Sequence, residues 1–247
     1  MDGAASVGGQ ARTVDGGRGV AWWSEAWALF SKSAVLWIVF GVVLFILLVV
    51  MSFVPLVGSL AAALLLPVFL GGWMLAARKV EEGGTLEVGD LFACFQGDRL
   101  TPLIVVGVLL LAGVVVIGFV VGMLGVGAVF GMMVGGATRS AGGAFAALGT
   151  ALLALLLALV LGILMSMATW FAPALVVFRN VQPLDALKAS FAASLKNIVP
   201  FLLWGLIYIV AAIVASIPFG LGWIVLMPVT LLTAYVSYQD VFDGAAP

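Results

Sequence analysis

SIPFGLGWIVLMP, residues Ser216–Pro228, interrupts an apolar run too long for one membrane crossing. An earlier stretch, SFVPLVGSLAAALLLP (Ser52–Pro67), repeats the plan: a Pro/Gly break inside an apolar run, then a second proline about half a span later. Proline and glycine in such a position end one helix and start the next. Each stretch therefore reads as the tip of a helical hairpin, with PLVG and PFGLG as the turns.

Charge placement extends this reading to the whole chain. No Asp, Glu, Lys or Arg occurs in Ala34–Ala77, Leu100–Thr138, Ser140–Phe178 or Asn197–Gln239, runs of 44, 39, 39 and 43 residues. A helical crossing takes about 20 apolar residues, so the first and last runs each hold two crossings. Each middle run holds one crossing and a surplus, or two if it is itself a hairpin. The stretch TALLALLLALVLGILMSMATW (Thr150–Trp170) offers no turn residues and favours one. Six crossings are predicted, at 34–54, 57–77, 102–123, 147–172, 197–216 and 220–239, with eight as the alternative. The surplus, Gly122–Gly143, reads as an extracytoplasmic loop, a membrane-surface segment or a short re-entrant helix.

Composition agrees. Of 247 residues 65% are hydrophobic and 9% charged, far from the balance of a soluble domain. The first 20 residues are Gly-rich and polar, without the apolar core of a signal peptide, and read as a disordered cytoplasmic tail. Residues 21–243 form a single transmembrane domain. The chain has no histidine, which removes histidine bases and ligands, and its single cysteine, Cys94, removes an internal disulfide. A net charge of −1 points away from nucleic acid.

With six crossings, Arg12, Arg18, Lys32, Arg78, Lys79, Arg99, Arg179, Lys188 and Lys196 fall on one side and Arg139 alone on the other. The positive-inside rule then puts both termini in the cytoplasm. Before each odd-numbered crossing lies a short amphipathic stretch. Trp23, Trp27 and Phe30 share a face in the first, and Val88, Leu91, Phe92 and Phe95 in the second. Leu184, Leu187, Phe191 and Leu195 share one in the third, which opens on Pro183. Such helices suit the cytoplasmic headgroup layer, or rest on the bundle as connectors. The expected fold is thus an all-α six-helix transmembrane bundle built from hairpins, each preceded by an interfacial helix. Its repeat-like units are 21–80, 85–180 and 182–243. The spacing Lys32, Trp37, Gly41, Pro55 is echoed by Lys196, Phe201, Gly205, Pro218.

The crossings contain no ionisable residue of the kind that marks ion paths or intramembrane catalysis, and the chain is not read as an enzyme. No cofactor is expected, and the methionine pairs Met132-Met133 and Met165/Met167 read as packing rather than a copper site. Pro67, Pro173 and Pro228 each remove an N–H from a returning helix and are expected to kink it. Gly118, Gly122, Gly127, Gly131 and Gly135 form small-residue stripes that permit close helix approach, within the bundle or to a second chain. Arg78, Lys79, Arg99, Arg179, Lys188 and Lys196 are candidates for anionic headgroups.

The succession EAWALFSKS, LPVFLGGWMLAARKVEEG, DLFACFQ, ASLKNIVPFLLWGL, IPFGLGWIVLMP and AYVSYQDVF, spread over residues 20–243, resembles an uncharacterised family of proteobacterial inner-membrane proteins similar to the YciC-like group. That resemblance implies a multi-pass protein of the bacterial inner membrane and carries no activity. Two functions remain open. One is a non-catalytic accessory protein that contacts a membrane-protein partner or its own copies, supporting a complex or the envelope. The other is binding or translocation of lipids or small amphiphiles. A flat exposed face bearing Gly127, Gly131 and Gly135 would favour the first; a groove lined by Ser166, Thr169 and Tyr235 would favour the second.

Overall fold

The computed structural model describes residues 11–138 and 141–244; Arg139, predicted to stand alone on its side, lies outside the described residues, as do residues 1–10 of the predicted tail. Regular structure among the described residues is helical. A 14-residue helix α1 (Arg18–Ser31) leads into α2 (Ala34–Ser52) and α3 (Val57–Glu81). Two 3₁₀ helices, Val88–Phe95 and Gly97–Arg99, lead into α4 (Leu100–Thr138) and α5 (Ala141–Thr169). Then come α6 (Ala172–Arg179) and α7 (Pro183–Lys196), followed by α8 (Ile198–Ser216), α9 (Trp223–Tyr238) and a π turn, Gln239–Asp243. Among the described residues six segments are long and apolar enough to cross a membrane. The protein is a multi-pass membrane protein with an all-α fold.

Both quoted stretches are hairpin tips. The chain reverses at Phe53–Leu56, where Leu56 takes a positive φ of 62°, and at Ile217–Gly222, where Phe219 and Gly220 take φ of 53° and 83°. The reversals are tight: a Cβ on Gly58 would lie 1.6 Å from the Met51 carbonyl oxygen. In contrast, the described residues of Gly122–Gly143 form neither a loop nor a re-entrant piece. They continue α4 to Thr138 and open α5 at Ala141, so that α4 is one helix of 39 residues. This removes the turn that the eight-crossing alternative requires inside the first middle run.

The chain divides into two compact units, residues 11–108 with 167–244, and Leu109–Ser166. In the larger, α3 and α9 are the enclosed spans, and aromatic rings fill the space around them. Trp37, Phe40 and Trp73 form a fully buried trio with centroids 5.4–5.5 Å apart, spacings at which edge-to-face pairs gain beyond their buried area. Pro67 and Pro228 sit inside α3 and α9 and are both buried. In the smaller unit α4 and α5 meet through small residues. Ala128, Ala147 and Ala154 are its buried side chains among the described residues, and a Cβ on Gly113 would collide with the Met165 methyl at 2.1 Å.

Pro173 departs from expectation. It lies in the first turn of α6, after a break at Trp170–Phe171, rather than kinking a continuous helix. A serine from another helix fills the break. The Phe171 N–H donates to Ser190 Oγ (3.0 Å), and Ser190 Oγ donates to the Met167 carbonyl (2.8 Å), which also accepts from Ser194 Oγ at 3.2 Å. The Ser190 hydroxyl is thus inserted into the bond that an unbroken helix would make between residues 171 and 167.

The amphipathic stretches also settle differently. In α1 the enclosed residues are Gly19, Trp22, Ala26, Leu29 and Phe30, whereas Trp27 is half exposed and Trp23 donates to the Trp204 carbonyl at 3.2 Å. The helix presses its small and aromatic face onto α8 and α9, where a Cβ on Gly19 would lie 2.0 Å from the Pro200 carbonyl oxygen. The second stretch winds as a 3₁₀ helix and encloses Leu91 and Cys94, three residues apart, while Val88 at its start and Phe92 remain partly exposed. In α7 the predicted face is reversed: Ala186, Ser190, Ala193 and Ser194 are buried, and Leu184 and Leu195 point outward.

Candidate functional site

Eight charged side chains of the larger unit gather where α9 gives way to the π turn: Arg12, Arg18, Glu25, Arg78, Glu81, Arg179, Asp240 and Asp243. The chain before α1, expected to be disordered as far as residue 20, is docked here from residue 11 onward. The Arg12 N–H donates to the Val241 carbonyl at 2.9 Å, and the Val14 N–H to Asn197 Oδ1 at 2.8 Å. Asn197 Nδ2 returns a bond to the Arg12 carbonyl at 3.0 Å. These bonds satisfy the backbone of a segment too polar to bury itself by hydrophobicity. They carry two arginines onto Asp240, which is 2% exposed. Arg12 Nη2 lies 2.8 Å from Oδ1, Arg18 Nε 2.5 Å from Oδ2, and Trp22 Nε1 donates to Oδ2 at 3.0 Å. A carboxylate enclosed to this degree persists as a charge only when paired and hydrogen-bonded, and Asp240 has both.

A second set lies beside it. Arg179 pairs with Asp243 at 2.9 Å, donates to Tyr238 Oη at 3.2 Å, and reaches the Phe242 carbonyl. Arg78 stacks over the Phe178 ring at 3.7 Å and reaches Asp243 at 3.5 Å. Glu81 accepts from Tyr235 Oη at 2.5 Å and from Gln239 Nε2 at 2.6 Å. Lys79 is held by Asp90 at 2.9 Å. Four of the six residues singled out for lipid headgroups, Arg78, Lys79, Arg179 and Lys188, thus have a carboxylate partner in the chain; that of Lys188 is an exposed contact to Asp185 at 3.6 Å. Arg99 and Lys196 are exposed and pair with no carboxylate among the described residues, although Lys196 Nζ lies 3.5 Å from the Ala11 carbonyl.

The glycine stripe divides. Gly127 and Gly131 face α5, with Thr150 Cγ2 and Ala147 Cβ at 3.9 and 3.5 Å from a Cβ placed on them, whereas Gly118 and Gly122 face open space. Of the predicted flat face, Gly127 and Gly131 therefore meet α5, and Gly135, further along α4, has surroundings outside the described residues. Tyr235 is not part of a lipid-facing groove, being fully buried against Glu81. Closer backbone approaches are made by glycines outside the stripe. A Cβ on Gly72 would lie 2.3 Å from the Leu91 carbonyl oxygen, and one on Gly107 2.6 Å from that of Leu64.

Two cavities open in the larger unit. One, of about 420 Å³, lies between α2 and the start of α9 and is lined by Gly41, Val42, Phe45, Gly220, Trp223, Ile224 and Met227. The other, of about 230 Å³, is lined by Pro102, Val176 and the loop Asn180–Pro183. Among the described residues no three His, Cys, Asp or Glu side chains come together as a metal-holding group. Burial pushes the Cys94 thiol up to about 11, with Arg99 pulling weakly the other way, so it stays protonated and unreactive at neutral pH. The indole N–H groups of Trp37 and Trp73 are buried and have no acceptor.

No protein-family model, curated protein or solved structure matches this chain.

Proposed function

We propose that this protein is a non-catalytic interaction or accessory protein, and that the α4–α5 hairpin is the surface it offers to a membrane-protein partner or to a second copy of itself. The observation that carries this reading is a mismatch of length. The 39 residues of α4 have a contour length of about 58 Å at about 1.5 Å per residue, against a hydrocarbon layer of about 30 Å. No Asp, Glu, Lys or Arg occurs in this helix, and Phe119, Met123, Val126, Phe130 and Met133 are all exposed. Submerging such a helix requires a tilt of about 60°, beyond the range of about 0–40° for membrane helices. Apolar surface that outruns the bilayer calls for protein cover, and Gly118 and Gly122 leave a notch in it for close approach.

The proposal includes a bacterial inner-membrane location through the resemblance to the YciC-like group, with both termini in the cytoplasm through the distribution of Lys and Arg. It also takes the matched lengths of α1 and α7 (14 residues each) and of α2 and α8 (19 each) as a mark of an internal repeat. The second reading, a lipid or amphiphile binder, draws on the apolar cavity between α2 and α9, whose lining suits an acyl chain or other apolar group.

The test is native mass spectrometry of the full-length protein, gently extracted from its own membrane. A second polypeptide or a second copy at fixed stoichiometry, lost on Gly118→Leu and Gly122→Leu, is the expected result. A lone chain carrying defined lipids, unchanged by those substitutions, refutes the interaction reading in favour of the second.

A further inference from the structure

Helix α7 is held to the bundle by the side that carries no large apolar residue. Ala186, Ser190, Ala193 and Ser194 are at most 1% exposed, and Asn197, immediately after the helix, is fully buried. On a helix turning about 100° per residue, Leu184 and Leu195 point away from this side, and Leu187 and Phe191 lie half-buried along its margin. Leu184 is 52% and Leu195 47% exposed. Lys188, 68% exposed, borders this stripe, and Lys196 and Asp185 lie further round on the same flank. The helix therefore has an inner small-residue face, an outer apolar stripe and a mainly basic edge.

Its position fixes what the stripe meets. Only Asn197 separates the end of α7 from Ile198, the first residue of the membrane-spanning α8. Asn197 Nδ2 locks that junction by donating to the Ala193 and Arg12 carbonyls, both at 3.0 Å. A helix joined so closely to a membrane span lies at the boundary between hydrocarbon and headgroups. There an outward leucine stripe meets acyl chains, and a lysine beside it meets phosphate. The contact to Asp185, at 3.6 Å between two exposed side chains, is too weak to compete with that phosphate.

We propose that the outer face of α7 is a docking site for anionic phospholipid of the surrounding bilayer, with Leu184 and Leu195, flanked by the half-buried Leu187 and Phe191, against the acyl boundary and Lys188 on the headgroup phosphate. The site is separate from the protein-binding surface assigned to α4–α5, and either assignment stands without the other. Its chemistry is a single negative phosphate carried at the acyl boundary, without a requirement for a particular polar group beyond it.

The experiment uses the full-length protein in nanodiscs of phosphatidylcholine, with and without phosphatidylglycerol. Nitroxide labels placed by Leu184→Cys and Leu195→Cys, with the enclosed Cys94 left in place, should be more accessible to oxygen than to a water-soluble nickel complex. Native mass spectrometry of the same discs should show phosphatidylglycerol retained over phosphatidylcholine. Lys188→Gln should lower that preference about fivefold, the effect of one basic residue near an anionic surface, and Lys188→Arg should keep it. Labels that favour the nickel complex overturn the proposal, as do labels immobilised against another polypeptide, which would make α7 a protein interface. A lipid preference indifferent to Lys188→Gln also overturns it. All three positions are exposed, so the substitutions leave the packed side of α7 intact.

Discussion

Asp240 is the residue whose removal should cost the fold most for the smallest change in volume. In Asp240→Ala three donors lose their acceptor at once. Arg12 is 42% exposed and recovers hydration, so its share is about 0–1 kcal/mol. Arg18, 23% exposed, keeps Glu25 at 2.9 Å but loses the shorter of its two partners. Trp22 is fully buried, and its indole N–H is left with nothing, a loss of about 1–3 kcal/mol. Breaking an enclosed ion pair from one side costs about 3–5 kcal/mol, discounted here because both arginines retain some water. The total comes to about 4 kcal/mol. At about 2–4 °C per kcal/mol for a chain of this size, the melting temperature in detergent should fall by about 10 °C. The order of effects is the sharper expectation: Asp240→Ala above Arg18→Gln, which strands the carboxylate with one exposed partner, and Arg18→Gln above Arg12→Gln. Size-exclusion analysis after heating gives all three values. An Asp240→Ala protein within about 1 kcal/mol of the parent would refute the reasoning, because the buried Trp22 indole alone should lose that much with its acceptor. So would an Arg12→Gln protein as damaged as Arg18→Gln.

Ser190→Ala removes the oxygen between the Phe171 N–H and the Met167 carbonyl and should cost about 1–3 kcal/mol in the same assay; no loss would mean that the helix recloses its own bond there. Trp73→Phe should be milder than Trp22→Phe, because the Trp73 indole N–H has no acceptor to lose while that of Trp22 holds Asp240; equal losses would show that the indole bond contributes nothing. Cys94 should resist alkylation at pH 7.5 and react as the pH approaches about 11. The folded state holds this proton more tightly than the unfolded chain. The stability it contributes is therefore complete below the ordinary thiol value of 9.0 and is lost as pH rises from there towards about 11. Rapid labelling at neutral pH would contradict the burial.

The hairpins α2–α3 and α8–α9 could be read from the chain because a Pro/Gly break acts locally, within the residues that contain it. The orientation of α7 could not. Leu184, Leu187, Phe191 and Leu195 mark one face, but in a bilayer the surroundings are as apolar as the core, so an apolar face need not turn inward. Close packing selects the side with Ala186, Ser190, Ala193 and Ser194 instead. Likewise Gly118 and Gly122 have the spacing of a contact stripe and face nothing, whereas Gly72 and Gly107, with no such spacing, are pressed against backbone. Spacing describes one helix; contact depends on the helix opposite. The charged cluster was hidden for a related reason. Arg12, Arg18 and Arg179 count as basic residues in the sequence, and their neutralisation by Asp240 and Asp243 appears only when segments 64 to 228 residues apart meet.

That separation also imposes an order of assembly. The chain is made from its N-terminus, so Arg12 and Arg18 emerge long before Asp240 exists. At about 5–20 residues per second they wait roughly 10–50 s for it. Throughout that interval they lack this carboxylate and stand as basic residues N-terminal to the first span, available to hold it in its orientation while it inserts. Only after the last helix is in place does the carboxylate arrive that takes them out of solution. The same two charges can thus serve first as a topological signal and then as a buckle fastened at the end of synthesis. A chain truncated before residue 240 would then insert its first helices correctly and never close.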